Sequence, residues 1–475
     1  MLFTDAFFLF YFLPATLLLG RILTIGGRLN GAFKAWVVIA TLLFYAYENW
    51  LWVLLFGLVV GSSYLGTCGV ASSSASLSRR LWLTVSIAIP LLLLAVFKYT
   101  NWLSAYFPFL TSLRDYIAPW FGEEGRIVLP PGISFYVFEA LSYSIDVYRR
   151  KTQPARSPLN YLVFIAMFPR FIAGPIVRYT DLAGQLSGWS GMHVQRGLSL
   201  FALGFSIKCL LADQFAVFVP YAFDVARPDF FQAWIGVASY SFQLYLDFWS
   251  YSIMATGLGL CLGFMFPDNF RSPYHAVSVT RFWTQWHISL STWLRDYLYI
   301  SLGGNRGAMW RTCTNLLVTM ALAGLWHGAN ITFVLWGAYH GALLVGERLV
   351  GETRLSRLPI LVRRTVTLLL VAVGWAVFRS DSLEEAKSVV AGLAGLHGFS
   401  SQFNPLLIHD NPFAAALAAL GVIFVAAGEK HLVTSQPLAH RPFSFGARYL
   451  TFVLFLIALF VSASSQEIPF LYFQF

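Results

Sequence analysis

Apolar runs of helical length, separated by short polar or basic turns, recur along the whole of this 475-residue chain. Phe7 to Leu19 is the first, followed by Ala35 to Tyr47, Leu51 to Leu65, Leu81 to Phe97 and Ile133 to Tyr148. Tyr161 to Val177, Gly197 to Phe218 and Trp234 to Phe266 continue the series, the last long enough for a bent span or two short ones. From Thr312 to Val345 there are 34 residues without Lys, Arg, Asp or Glu. As one helix they would measure about 51 Å at a rise of about 1.5 Å per residue, against a bilayer core of about 30 Å. The run must break, and Gly324, Gly328 and Asn330 put the easiest break around His327. Thr365 to Phe378, Pro412 to Ala427 and Tyr449 to Val461 complete the series, in which about eleven segments are long enough to matter as spans.

Two stretches do not fit a simple span. Trp102 to Phe121 is aromatic but interrupted by Pro108, Arg114-Asp115 and Pro119, which predicts an interfacial or re-entrant element. From Arg281 to Leu298, the residues Trp283, His287, Leu290, Leu294 and Tyr297 recur at helical spacing, and Gln285, Ser289, Thr292 and Asp296 form a second, polar stripe. That pattern predicts an amphipathic helix at an interface or beside a polar cavity. Gly303-Gly304-Asn305-Arg306 then closes it with residues that tolerate left-handed backbone.

Composition turns these runs into a class. With 57% hydrophobic and 11% charged residues, and a mean hydropathy of +0.65, the chain has too few charges to cover a soluble surface. Helical run lengths favour an all-α integral membrane bundle over an outer-membrane barrel. The net charge of +10 is not gathered into a Lys/Arg block with interleaved aromatics, so it points to cytoplasmic, lipid-facing loops and not to nucleic acid. Arg21, Arg28 and Lys34, then Arg79-Arg80, then Arg149-Arg150-Lys151 fall on one side, with Glu48-Asn49 and Glu123-Glu124 on the other. The first run follows Asp5 and lacks a clear cleavage site, so a retained anchor is expected. Cys68, Cys209, Cys261 and Cys313 are scattered through apolar sequence without metal spacing. No long linker or repeat divides the chain, which predicts one domain over 1–475 with an aromatic tail at 466–475.

Chemistry narrows to a few polar groups in apolar surroundings. His327 at a forced break is either a functional group or a buried histidine bonded to carbonyls freed by the break. His287 lies on the apolar stripe, where a core role is the simpler account. Glu139 and Asp146 share one span and need polar partners or a cavity. No HExxH, GxSxG, GxGxxG or Walker spacing occurs. His327 and His340 would face opposite sides of a continuous helix, so no metal site is expected. What remains is a general base: a neutral imidazole in a dry site can take a hydroxyl proton and activate that oxygen for attack on an acyl group.

The stretch Arg281-Phe282-Trp283-Thr284-Gln285-Trp286-His287-Ile288-Ser289 through Asp296 to Ile300, followed by Leu302-Gly303-Gly304-Asn305-Arg306 and Gly324-Leu325-Trp326-His327-Gly328, resembles the membrane-bound O-acyltransferase family. Its bacterial branch includes alginate, cellulose and peptidoglycan acetylation subunits and a teichoic-acid D-alanyl transferase. Phe135 to Arg149, Phe168-Pro169 with Ile172 to Arg178, and Phe266 to Tyr274 extend the likeness. Leu246 to Ile253 departs from it: relatives tend to have a Ser-Gly pair and an acidic residue in place of Trp249-Ser250 and Ile253, so in that helix only Asp247 is carried over.

The resemblance implies a ring of helices around a tunnel in which a cytoplasmic donor, expected to be acetyl-CoA, meets an acceptor on the outer side. It makes His327 the catalytic histidine and His287 a second functional position. Trp326, Asn330, Trp286, Asp296, Asn305 and Asp247 become tunnel- or site-shaping positions. The tail Gln466 to Phe475 resembles a terminal aromatic motif whose tyrosine, here Tyr472, is implicated as an acyl carrier; interfacial packing of Phe470, Phe473 and Phe475 is the alternative. The family further implies a bacterial inner-membrane location, a periplasmic SGNH or esterase-like partner and O-acetylation of an exported or envelope polysaccharide such as alginate or cellulose, with peptidoglycan as another acceptor. A transporter or channel remains the competing class, because intramembrane His, Asp and Glu also mark those.

Overall fold

The computed structural model describes residues 1–25, 27–399, 411–428, 438–440, 443–464 and 468–471. Tyr472, the expected acyl carrier, therefore lies outside the described residues. The described chain is almost wholly helical; its strands are the pair Gly122–Glu123 and Arg126–Ile127, joined antiparallel. Five helices are long and apolar enough to cross a membrane: Leu51–Ser72, Ser76–Leu103, Val194–Phe223, Ile360–Arg379 and Phe445–Ser464. Phe8–Leu23, Gly31–Ala46 and Pro412–Ala427 are shorter apolar helices. Large apolar side chains such as Leu54, Leu65, Leu92, Leu361 and Phe460 are exposed on these elements, as lipid-facing positions are.

The chain divides into two compact units, Met1–Phe201 with Met254–Pro267, and Ala202–Ile253 with Asp268–Phe475. In the first, Glu139 of the helix Ile133–Tyr148 is buried against Arg170 and accepts the Val177 N–H at 3.2 Å. Asp146, one turn from the end of the same helix, pairs with Lys151 at 3.8 Å. Both acidic groups thus have the polar partners that an apolar span demands. The stretch after Trp102 forms a separate helix, Pro108–Phe121, with Phe109, Tyr116 and Trp120 exposed.

The second unit is built on a hairpin. The long charge-free run resolves into the helices Met309–His327 and Ile331–Val350, and the break falls at Gly328 to Asn330, directly after His327. The two helices lie close because Gly324 and Gly337 face the partner backbone: a Cβ on Gly337 would sit 2.1 Å from the Met320 carbonyl oxygen. Small residues at such contacts let backbones approach within a membrane. Ile360–Arg379 packs beside the hairpin, with Gly374 against the His340 ring. Phe230–Cys261 is one unbroken helix of 32 residues and not two short spans.

The amphipathic helix expected from Arg281 to Leu298 is interrupted. A short helix Val279–Trp283 ends, the chain turns, and a second begins at Ile288–Trp293 and continues as a π-helix, Leu294–Tyr299. His287 sits at the junction with φ of 42°, a left-handed conformation rare for a residue with a side chain. The break is held by the loop before it, where Arg271 N–H donates to the Gln285 carbonyl and Ile288 N–H donates to the Asn269 carbonyl, each at 2.9 Å. Hydrophobic periodicity records which residues are buried, and it does not register a reversal of this kind.

Candidate active site

His327 is the last residue of its helix, where the final carbonyls lack intrahelical partners and the dipole is negative. Its imidazole is enclosed by aromatic rings, with centroid separations of 4.9 Å to Trp326, 5.2 Å to Trp336 and 5.4 Å to Phe378. Trp326 also neighbours His287, at 6.2 Å. Both imidazoles therefore neighbour one indole.

His287 is buried and oriented from two sides. Phe248 packs edge-on to its ring at 4.7 Å. Nδ1 lies 3.0 Å from Asn269 Oδ1. The same oxygen accepts the Ser289 hydroxyl at 2.8 Å and the Ser289 backbone N–H at 3.4 Å. A backbone N–H can only donate, so this Asn269 atom is the oxygen and His287 Nδ1 carries the proton. Nε2 then holds the basic lone pair. Asn269 itself is fixed through its Nδ2, which donates to Ser252 Oγ at 3.2 Å.

A cavity of about 1060 Å³ opens within this unit. Leu316, Thr319, Met320, Ala323 and His327 line it from the Met309–His327 helix, one face at helical spacing. From Leu316 to His327 that face descends about 16 Å at about 1.5 Å per residue. On the antiparallel helix, Trp336 lines the deep part and Leu344, Glu347 and Arg348 the other end. His327 thus marks the inner end, and the rim carries Arg281, Arg295, Arg348 and Arg363 against Glu347 and Glu352. Glu347 is occupied, accepting Val279 N–H at 2.5 Å and Thr280 N–H at 2.8 Å at the start of the Val279–Trp283 helix. The result is an apolar shaft with a cationic mouth.

The remaining sequence candidates separate by position. Asn305 lies on the cavity wall and accepts the Tyr299 hydroxyl at 2.5 Å. Asp296 pairs with Arg295 of the rim at 2.7 Å. Trp286 is away from the wall, in an aromatic cluster 4.8 Å from Trp375 and 5.5 Å from Phe282. Asn330 caps the Ile331–Val350 helix through Thr332 N–H at 3.2 Å and donates to the Asp381 carbonyl at 2.8 Å, so it shapes the turn after His327. Asp247 is buried in an ion cluster with Lys208. Among the described residues, no group of His, Cys, Asp and Glu is arranged to hold a metal ion.

Two buried polar residues of this unit escape sequence reasoning. Asn269 was visible only as part of the Phe266 to Tyr274 stretch, and Lys208 as a single cation inside the apolar run Gly197 to Phe218.

Apolar helices with an imidazole at the inner end of a cavity suit a membrane enzyme, and the sequence comparison supplies the family: the profile of the membrane-bound O-acyltransferase family, MBOAT, matches residues 67–378. The chain belongs to that family and is an acyltransferase of the membrane. It is 41% identical, over 81% of its length and 73% of the relative's, to the probable alginate O-acetylase AlgI of Pseudomonas aeruginosa. With the probable alginate O-acetylase AlgI of Pseudomonas putida it shares 36% identity across 100% of both chains. It is also 32% identical to the peptidoglycan O-acetyltransferase of Helicobacter pylori, over 100% of this chain and 98% of that one.

Proposed function

We propose that this protein carries acetyl groups from a cytoplasmic donor, acetyl-CoA, across the bacterial inner membrane for O-acetylation of an exported polysaccharide of the alginate or cellulose kind. The observation that carries the proposal is His327 at the inner end of a shaft whose mouth bears Arg281, Arg295, Arg348 and Arg363. A CoA thioester has a matching division: a polyanionic nucleotide end for the arginines and a thin pantetheine arm for the Leu316 to Ala323 wall. Arg354, Arg357 and Arg364 extend the basic character of the sequence beside the mouth, and positive-inside bias favours the cytoplasm for that side. About eleven crossings around one tunnel, forming a single catalytic domain, fit this reading.

In the proposed reaction His327 takes the proton from an acceptor hydroxyl as that oxygen attacks the thioester carbonyl. The tetrahedral intermediate collapses with loss of the CoA thiolate, which takes up the proton from the imidazolium. Removal of water from the aromatic cage limits hydrolysis of the donor. His287, with its proton fixed on Nδ1, is the second functional histidine beside Trp326, and its Nε2 can receive the hydrogen bond of the incoming acceptor hydroxyl until His327 takes that proton. The acceptor is Tyr472, and the acetyl ester formed there passes to a periplasmic esterase-like transferase and then to the polysaccharide. The identity to alginate O-acetylases exceeds that to the peptidoglycan enzyme, which favours alginate-like acceptors.

The deciding experiment feeds labelled acetyl-CoA to membranes containing the full chain. His327→Ala is expected to lower acetyl transfer by at least 100-fold while leaving the amount of folded protein unchanged. Transfer retained within a few-fold would remove His327 from the mechanism. Intact-mass detection of acetyl on wild-type chain, absent in Tyr472→Phe, tests the carrier step separately.

A further inference from the structure

Beyond the cavity, a second polar centre of this unit is Lys208 with Asp213 and Asp247. Lys208 Nζ lies 2.6 Å from a carboxylate oxygen of each aspartate, and Lys208 and Asp247 are both fully buried. Lys208 opens a π-helical turn, Lys208–Ala212, a widening of the helix that often marks functional positions. The trio holds two carboxylates and one ammonium, so it needs further donors. One comes from the tail: the Leu471 N–H donates to Asp247 Oδ2 at 2.8 Å. Phe470 completes the contact, with its ring centroid 4.6 Å from Lys208 Nζ and edge-on to Tyr251 at 4.8 Å. Phe470 and Leu471 are both buried there. The helix Phe445–Ser464, which leads to the tail, packs on the same region through Phe455, 5.1 Å from Phe205.

This contact and His287 are held by adjoining faces of the same helix. Asp247 and Tyr251 hold the tail, Phe248 between them packs on His287, and Ser252 accepts the Asn269 side chain that orients His287. We propose that Lys208 and Asp247 form a charged seat for the segment 468–471 and act as positioning residues, setting the register in which the tail presents its next residue to the His287 and His327 pair. The seat rests on the carrier reading of Tyr472 for its purpose, although not for its existence. The peptide N–H donates to the carboxylate and the aromatic face receives the ammonium; both are generic groups, so register comes from the seat's geometry.

The test uses the full chain in lipid nanodiscs with two readouts. Hydrogen exchange resolved to the Leu471 amide reports the seat. That amide is expected to exchange at least tenfold more slowly in wild type than in Asp247→Ala, and Leu471→Ala, which keeps the N–H, is expected to retain the protection. Acetylation of Tyr472 from acetyl-CoA, read by intact mass, reports positioning. Leu471→Pro removes the donor N–H, and with it some backbone freedom at Phe470 and Leu471, beyond the last helix; it is expected to lower acetyl-tyrosine formation at least tenfold, with Leu471→Ala, which keeps the N–H, close to wild type. An unprotected Leu471 amide in wild type would overturn the seat, and wild-type acetylation in Leu471→Pro would overturn its positioning role. Full polysaccharide acetylation by Tyr472→Phe with the amide still protected would instead overturn the carrier reading and leave the seat standing.

Discussion

At the scale of single residues, the polar geometry around His287 converges on Asn269. Its one oxygen meets the imidazole, the Ser289 hydroxyl and the Ser289 N–H, and its amide nitrogen reaches Ser252. Fixing the tautomer matters because a ring with the proton on the wrong nitrogen offers a donor where an acceptor is needed. Asn269→Leu, of similar volume, is expected to lower kcat about 10- to 100-fold with little change in the KM for the donor, as loss of a general acid–base partner does. Asn269→Asp retains the accepting oxygen and is expected to recover most of that loss. A purely structural role would instead lower both variants together with the thermal midpoint, so the split between kcat and stability decides. Asn269 was hard to find in the sequence because its partners are 17 to 20 positions away and join it only through the left-handed turn at His287.

At the scale of elements, the break after His327 was legible because it follows from length alone: a charge-free run longer than the bilayer has to turn. What the sequence could not supply was the closeness of the two resulting helices. The Gly337 position makes that contact testable, since an added Cβ would meet the Met320 carbonyl oxygen at 2.1 Å, and a backbone atom cannot swing aside. Gly337→Ala is expected to destabilise the hairpin by about 1–3 kcal/mol, the usual cost of overpacking. Gly346, on the same helix, has nothing within 4 Å of an added Cβ. Gly346→Ala is therefore expected to stabilise by about 0.5–1 kcal/mol, the helical preference of Ala over Gly. Opposite shifts of the thermal midpoint in these two variants, measured in nanodiscs, check the argument; shifts of the same sign would contradict it. The interrupted helix at 284–287 is the complementary case, where a correct stripe of buried residues concealed a reversed backbone.

At the scale of the whole molecule, charge is sparse, and so its placement carries information. Arg281, Arg295, Arg348 and Arg363 gather at the mouth of a shaft that ends on His327. Lys208 and Asp247 illustrate why such placement resists reading from sequence: 39 positions separate two charges that neutralise each other in space. If the mouth binds the nucleotide end of acetyl-CoA, the paired change Arg348→Ala with Arg363→Ala removes contacts made equally in ground and transition states. The KM for acetyl-CoA is then expected to rise about tenfold, corresponding to about 1.4 kcal/mol, with kcat held within about twofold. A short uncharged thioester such as acetyl-N-acetylcysteamine reaches the same shaft without phosphates, and its kinetics are expected to be unchanged by the substitutions. Salt provides an independent control. The Debye length falls from about 10 Å at 0.1 M to about 3 Å at 1 M ionic strength, so the difference between wild type and variant should narrow as salt is raised. A rise in KM equal for both donors, or insensitive to salt, would place the effect in the shape of the shaft and remove the arginines from donor recognition.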